Sequence, residues 1–156
     1  MASLDKDYYR AVHKSSMDKA SWQDYKGGLF DGVLHGDIEQ RSWTVTVKGS
    51  DGSKSVEKRT RQDWAIRHGK IAAGAGTSIH DRSGMMSPSY MWKYFKMPSG
   101  TPIPATLKIV QRGRDPHHYQ IEVATGGKLT PGALRGALDT LARACVAKEV
   151  ELSKSN

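Results

Sequence analysis

Three places in this 156-residue chain carry side chains able to act on an anionic, sugar-like ligand. The first is Arg10, a permanent cation inside the otherwise apolar strand pattern Tyr8-Tyr-Arg-Ala-Val12. A guanidinium there either snorkels at a strand edge or grips phosphate oxygens through its planar fork. The second is the hydroxyl pair Thr77-Ser78 in GAGTSIHDR at 74–82. Gly74-Ala-Gly76 lets backbone approach a ligand closely, although the same stretch reads as a plain turn into a strand, with Asp81 and Arg82 pairing together. The third is Tyr119-Gln-Ile-Glu-Val123. In a strand Tyr119, Ile121 and Val123 share one face, and His118, Gln120 and Glu122 share the other. The apolar face belongs to a core. The polar face is either solvated, or it projects Gln-x-Glu into a cleft where a carboxylate steadies developing positive charge.

These groups need elements to hold them. Tyr8 to Val12 reads as a first strand. Residues 15–25 read as irregular or briefly helical, and Gly27 to Gly36, with four glycines, reads as a loop. Trp43-Thr-Val-Thr-Val47 has strong strand character; Ser50-Asp-Gly-Ser53 supplies a turn, and Lys54 to Thr60 returns as a hairpin partner. The charged run Glu57 to Arg61 is expected to be solvated rather than a binding patch. Pro98 to Pro104 holds three prolines and excludes a helix. Leu107 to Val110 and His118 to Val123 flank Gln111-Arg-Gly-Arg-Asp-Pro116 as an antiparallel hairpin. Thr130-Pro131 is an N-cap followed by proline at the first helical position. Leu134, Leu138, Leu141 and Cys145 follow at helical spacing, so an amphipathic helix packs on the sheet. The expected fold is a compact α+β domain spanning residues 1–156.

A chain of this length builds its own core without metal or disulfide. Its 24 Lys+Arg against 16 Asp+Glu give a formal charge of +8, which favours anionic partners. Cys145 is the one cysteine, so no intramolecular disulfide forms. The N-terminal MASLDKDYYRAVHK has no apolar core of signal-peptide length, and no stretch approaches a membrane span. The scattered histidines have no metal-ligand spacing, so no metal is expected.

The order Arg, then Thr-Ser, then Gln-x-Glu is the pattern of mono-ADP-ribosyltransferases. More narrowly, the chain resembles small type VI secretion effector toxins with an ADP-ribosyltransferase-like fold. YRAV at 9–12, GTSIHDR at 76–82, SGTPIPATLKI at 99–109 and HYQI at 118–121 carry the likeness, and the closing helix continues it. It spans nearly the whole chain and fails mainly across residues 26–65. The resemblance implies antiparallel sheets closed by a helix, NAD as substrate and no metal. It implies Arg10, Thr77 and Ser78 as catalytic residues, joined by Glu122 from the general transferase pattern, with Arg10, Thr77, Ser78, His118, Tyr119 and Gln120 binding NAD. A glutamate at the place of Glu122 is not general in those toxins, so Glu122 rests on the strand pattern. Implied partners are a cognate immunity protein, a secretion apparatus and an unknown ADP-ribose acceptor. The protein would sit in the producer's cytoplasm and reach a target cytosol without a cleavable leader.

Two other readings use the same residues. A basic nucleic-acid-binding module would contact phosphates through Lys and Arg and stack bases on Trp22, Trp43, Trp64 or Trp92. An NAD glycohydrolase or RNA 2′-phosphotransferase would share the fold and the phosphate grip.

Overall fold

The computed structural model describes residues 2–16 and 31–154. The expectations for 15–25, for Trp22 and for the first part of the 27–36 loop fall largely outside these residues.

The aromatic and β-branched segments form the strands. β1 (Tyr8–His13), β6 (Thr77–His80), β7 (Trp92–Met97), β8 (Leu107–Gln111) and β9 (His118–Val123) make one five-stranded sheet in the order β7-β1-β6-β9-β8. Every neighbouring pair in it is antiparallel. β7 is absent from the sequence reading because its pattern only makes sense against β1, with which it pairs along its whole length, Tyr8↔Met97 to His13↔Trp92. The expected 107–123 hairpin forms as β8 and β9, in register from Leu107↔Val123 to Gln111↔Tyr119. β2 (Arg41–Lys48) and β3 (Lys54–Arg61) form the other expected hairpin as a separate ribbon. β4 (Ile66–Arg67) and β5 (Lys70–Ile71) make a short third pair.

α1 (Pro131–Lys154) starts where the Thr-Pro signal places it. Thr130 Oγ1 accepts the Ala133 N–H at 3.1 Å, and Thr130 O accepts the Leu134 N–H at 2.9 Å. Leu134, Leu138, Leu141, Ala142 and Cys145 are its buried stripe. They join Tyr8, Ile79, Phe95, Met97, Ile121 and Val123 in one hydrophobic core. Each fully buried leucine contributes about 2 kcal/mol of transfer free energy. Burial pushes the Cys145 thiol up to about 12, so it packs as a small hydrophobe. Among the described residues the architecture is thus α+β, antiparallel sheets with one α-helix on a sheet face.

The segment 31–38 has no regular structure, yet it buries Val33, Leu34 and Ile38 in the same core. Side chains from three distant segments hold its consecutive carbonyls. Arg10 Nε donates to Val33 O at 3.1 Å, Thr77 Oγ1 to Leu34 O at 2.8 Å, and Trp64 Nε1 to His35 O at 3.0 Å. Gly36 (φ 61°) closes the segment against Asp63, whose Oδ2 would lie 2.8 Å from any Cβ there. Glycine fits that turn without strain, where an added Cβ would have to displace the Asp63 carboxylate.

Candidate active site

β1 and β6 meet at one register pair, Tyr9↔His80, and then part. Their divergence opens a cleft of about 790 Å³ between the sheet and the 31–38 wall. Arg10, Ser78, His80 and His118 line it from the sheet, Trp92 from β7, and Gly36 and Asp37 from the wall. Arg41, Arg61 and Asp63 close one end.

Arg10 sits where the strands part, its Nη1 donating to Ser78 O at 3.3 Å, across the gap, while Nε holds Val33 O. Burial lowers its pKa to about 10, partly countered by Asp63, so it stays protonated at neutral pH. Among the described residues no carboxylate pairs with it. Arg41 and Arg61, by contrast, are engaged by Asp37 at 3.1 and 3.6 Å. Arg61 also reaches Asp63 at 3.3 Å. A desolvated cation that feels Asp63 and Asp37 only at a distance, with no direct ion-pair partner among the described residues, favours an anion in the cleft.

Ser78 and His118 form a polar pair on adjacent strands. His118 Nδ1 lies 2.9 Å from Arg112 O, and a carbonyl only accepts, so Nδ1 carries the proton. In the neutral ring Nε2 is then an acceptor, and Ser78 Oγ donates to it at 3.0 Å. That leaves the serine oxygen's lone pairs turned toward other donors. His80 lies beside His118 with the rings tilted at 57° and their centroids 5.4 Å apart. Desolvation first, and His118 second, lower its pKa, which keeps the ring neutral. Trp92 stands edge-on to His13 at 5.0 Å, and its buried indole N–H has no partner.

Of the expected site residues, the fold brings Arg10, Ser78 and His118 together. Thr77 is not with them. Strand alternation turns it to the other face, where it is completely buried, its hydroxyl donating to Leu34 O and accepting the Trp64 N–H at 3.1 Å. Tyr119 also lies on the core face, where it packs edge-on to Tyr8 and accepts from Lys6 Nζ at 2.7 Å. Gln120 stands opposite Ser78 in the register, with a buried Oε1 that has no partner, but it is not part of the cleft lining. Glu122 does share a strand face with His118, yet it is 0% exposed and both its oxygens are taken. Arg112 donates Nε to Oε2 at 2.7 Å and Nη2 to Oε1 at 2.8 Å. Gly76 permits a close approach as expected, but the neighbour is the Ile121 carbonyl of β9, which occupies the place of a Cβ. Asp81 binds chiefly Lys6 at 3.1 Å and His117 at 2.9 Å, with Arg82 at 4.0 Å.

Sequence reasoning missed His80 and the Asp37–Asp63 end of the cleft, and named Trp92 only as a base-stacking residue of the nucleic-acid-binding reading. His80 had a signal: two residues past Ser78, it must share its face. The other groups come from segments distant in sequence. Among the described residues no group of three or more His, Cys, Asp and Glu gathers to hold a metal ion.

Compared with known families, residues 9–150 match the family model described as Tse2 ADP-ribosyltransferase toxin. No curated protein matches the chain.

Proposed function

Since the chain belongs to the Tse2 ADP-ribosyltransferase toxin family, a family of type VI effectors, we propose that its cleft takes NAD as substrate and transfers the ADP-ribose to an acceptor in the target cell's cytosol. The observation that carries this is Arg10, a desolvated cation with no ion-pair partner among the described residues, placed where β1 and β6 part. Its assigned role is the pyrophosphate, whose two phosphates supply the direct ion-pair partner it lacks. Ser78, oriented by His118, offers lone pairs to the hydroxyls of the ribose that carries nicotinamide. Bound NAD supplies a glycosidic bond whose loosening leaves positive charge on that ribose. The serine oxygen, polarised by its hydrogen bond to His118 Nε2, lies in a half-buried setting where such a dipole acts more strongly than in water. Thr77 supports this site from behind by fixing the wall. Glu122 enters only if Arg112 swings off its carboxylate.

As a delivered toxin the chain would need a cognate immunity protein and a secretion apparatus. Among the described residues no helix is long and apolar enough to cross a membrane.

The test is NAD binding by calorimetry and nicotinamide release on the purified chain, with Arg10→Lys beside it. Lysine keeps the charge but cannot serve Val33 O and Ser78 O while gripping a phosphate bidentately. Wild type should bind and release, and Arg10→Lys should bind at least about tenfold more weakly. Absence of NAD binding by the folded wild type would sink the proposal.

A further inference from the structure

The β2–β3 ribbon stands apart from the sheet, and nearly all of it is exposed. Its register sorts its side chains into two unlike faces. Arg41, Trp43, Arg59, Arg61 and Glu57 lie on one, where the arginines are occupied. Arg41 stacks on Trp43 at 4.6 Å and pairs with Asp37, Arg59 pairs with Glu57 at 3.1 Å, and Arg61 with Asp63. The other face carries Lys48, Lys54 and Lys58 among Ser42, Thr44, Thr46 and Thr60. It holds no carboxylate, and none of its lysines has an ion-pair partner among the described residues.

That face is electrostatically incomplete. Lys48 and Lys54 are direct cross-strand partners, and like charges so placed repel. Lys58 lies four residues beyond Lys54, about 13 Å along the strand, far enough apart for the two lysines to meet different phosphates of one nucleic-acid backbone. Hydroxyls between the lysines donate to phosphate oxygens as readily. Protein interfaces, in contrast, centre on aromatic and other apolar anchors and are depleted in lysine. The apolar residue on this face is Val56, 73% exposed. A two-stranded ribbon is also a shape that a nucleic-acid groove admits.

We propose that the Lys48–Lys54–Lys58 face of the β2–β3 ribbon is a docking surface for the phosphodiester backbone of nucleic acid. Arg41 and Arg61, which line the cleft, lie at the ribbon's base on its opposite face, so the docking surface is separate from the cleft. The docking is independent of whether NAD is the cleft's ligand.

The experiment is fluorescence anisotropy of the full chain with a short labelled DNA duplex, and with single-stranded DNA and RNA of the same sequence, from roughly 50 to 200 mM salt. The triple variant K48Q/K54Q/K58Q is compared with a control triple, K70Q/K128Q/K154Q. At least one nucleic acid should bind at low salt, and the three arms show which form is preferred. The ribbon variant should lose about tenfold or more in affinity, and its salt slope should be shallower by about three. Its melting temperature and nicotinamide release should match wild type, because these lysines are exposed and outside the cleft. Three results would overturn the proposal: no binding in any arm, an equal loss in the control triple, or equally tight binding of polyglutamate. The last would assign the face to an acidic protein.

Discussion

Thr77 and Ser78 are consecutive, yet their hydroxyls serve opposite sides of β6. Thr77 Oγ1 is sealed against Leu34 O at 2.8 Å, and Ser78 Oγ meets His118 Nε2 at 3.0 Å on the cleft side. A hydroxyl pair that reads as one motif is therefore a brace and a cleft-facing group.

The two roles separate by mutation. Thr77→Ala strands the Leu34 carbonyl and should destabilise the fold by about 1–3 kcal/mol, several degrees of melting temperature; Thr77→Ser should recover most of it. Ser78→Ala should melt as wild type while nicotinamide release falls by about tenfold to a hundredfold. Melting curves and release rates on all three variants check this. A Ser78→Ala protein with full activity would remove that serine from the site.

Glu122→Gln tests the remaining carboxylate. Its side chain is fully buried against half-exposed Arg112, so losing the charge should lower stability by about 1–3 kcal/mol. Release by the folded fraction should stay within a few-fold of wild type. A hundredfold slower release at unchanged melting temperature would instead place Glu122 at the reacting ribose.

The pH dependence of stability follows from His80. Its pKa in the fold lies below the ordinary 6.5 because burial and His118 disfavour the charged ring. The unfolded chain therefore binds the proton more readily, and stability present above 6.5 is lost as pH falls through the folded value. His117, Asp81 and Asp115 also act on this ring. Denaturant unfolding from about pH 7.5 to about pH 5 should show a smaller stability loss for His80→Gln than for wild type. Parallel curves for the two would refute this assignment.

Gly76→Ala should prevent β6 from seating on β9, because the new Cβ would collide with the Ile121 carbonyl. The expected result is loss of cooperative unfolding, read by circular dichroism, rather than a folded and inactive protein.

Local signals made much of this structure legible. The Thr130-Pro131 start and the Leu134, Leu138, Leu141, Cys145 spacing place the helix, and the turn residues at 50–53 and 111–116 place two hairpins. Arg10 stood out as a cation in an apolar strand, and it does line the cleft. What escaped the sequence was closure by distant segments. Thr77 is buried only because Leu34 and Trp64 arrive over it, and Glu122 only because Arg112 folds back across the hairpin. Period-two alternation gives a residue's face, but not what will cover that face.

The three carbonyl ties of the 31–38 wall reach Arg10, Thr77 and Trp64 across 23, 43 and 29 residues of sequence. Asp139 adds ties to Gly32 N–H and His35, and Gln62 and Asp63 hold Ile38 and Asp37. The wall is thus fastened mainly by side chains and not by a strand ladder, and its opening is separable from that of the sheet behind it. Opening it dismantles the cleft without melting the strands, which makes a dormant species of the enzyme: folded by most probes, yet without a substrate site. Amide exchange at 33–37 faster than at 119–123 would report its population. Its share of the molecules, rather than global stability, would then set how much of a purified sample is competent at any moment.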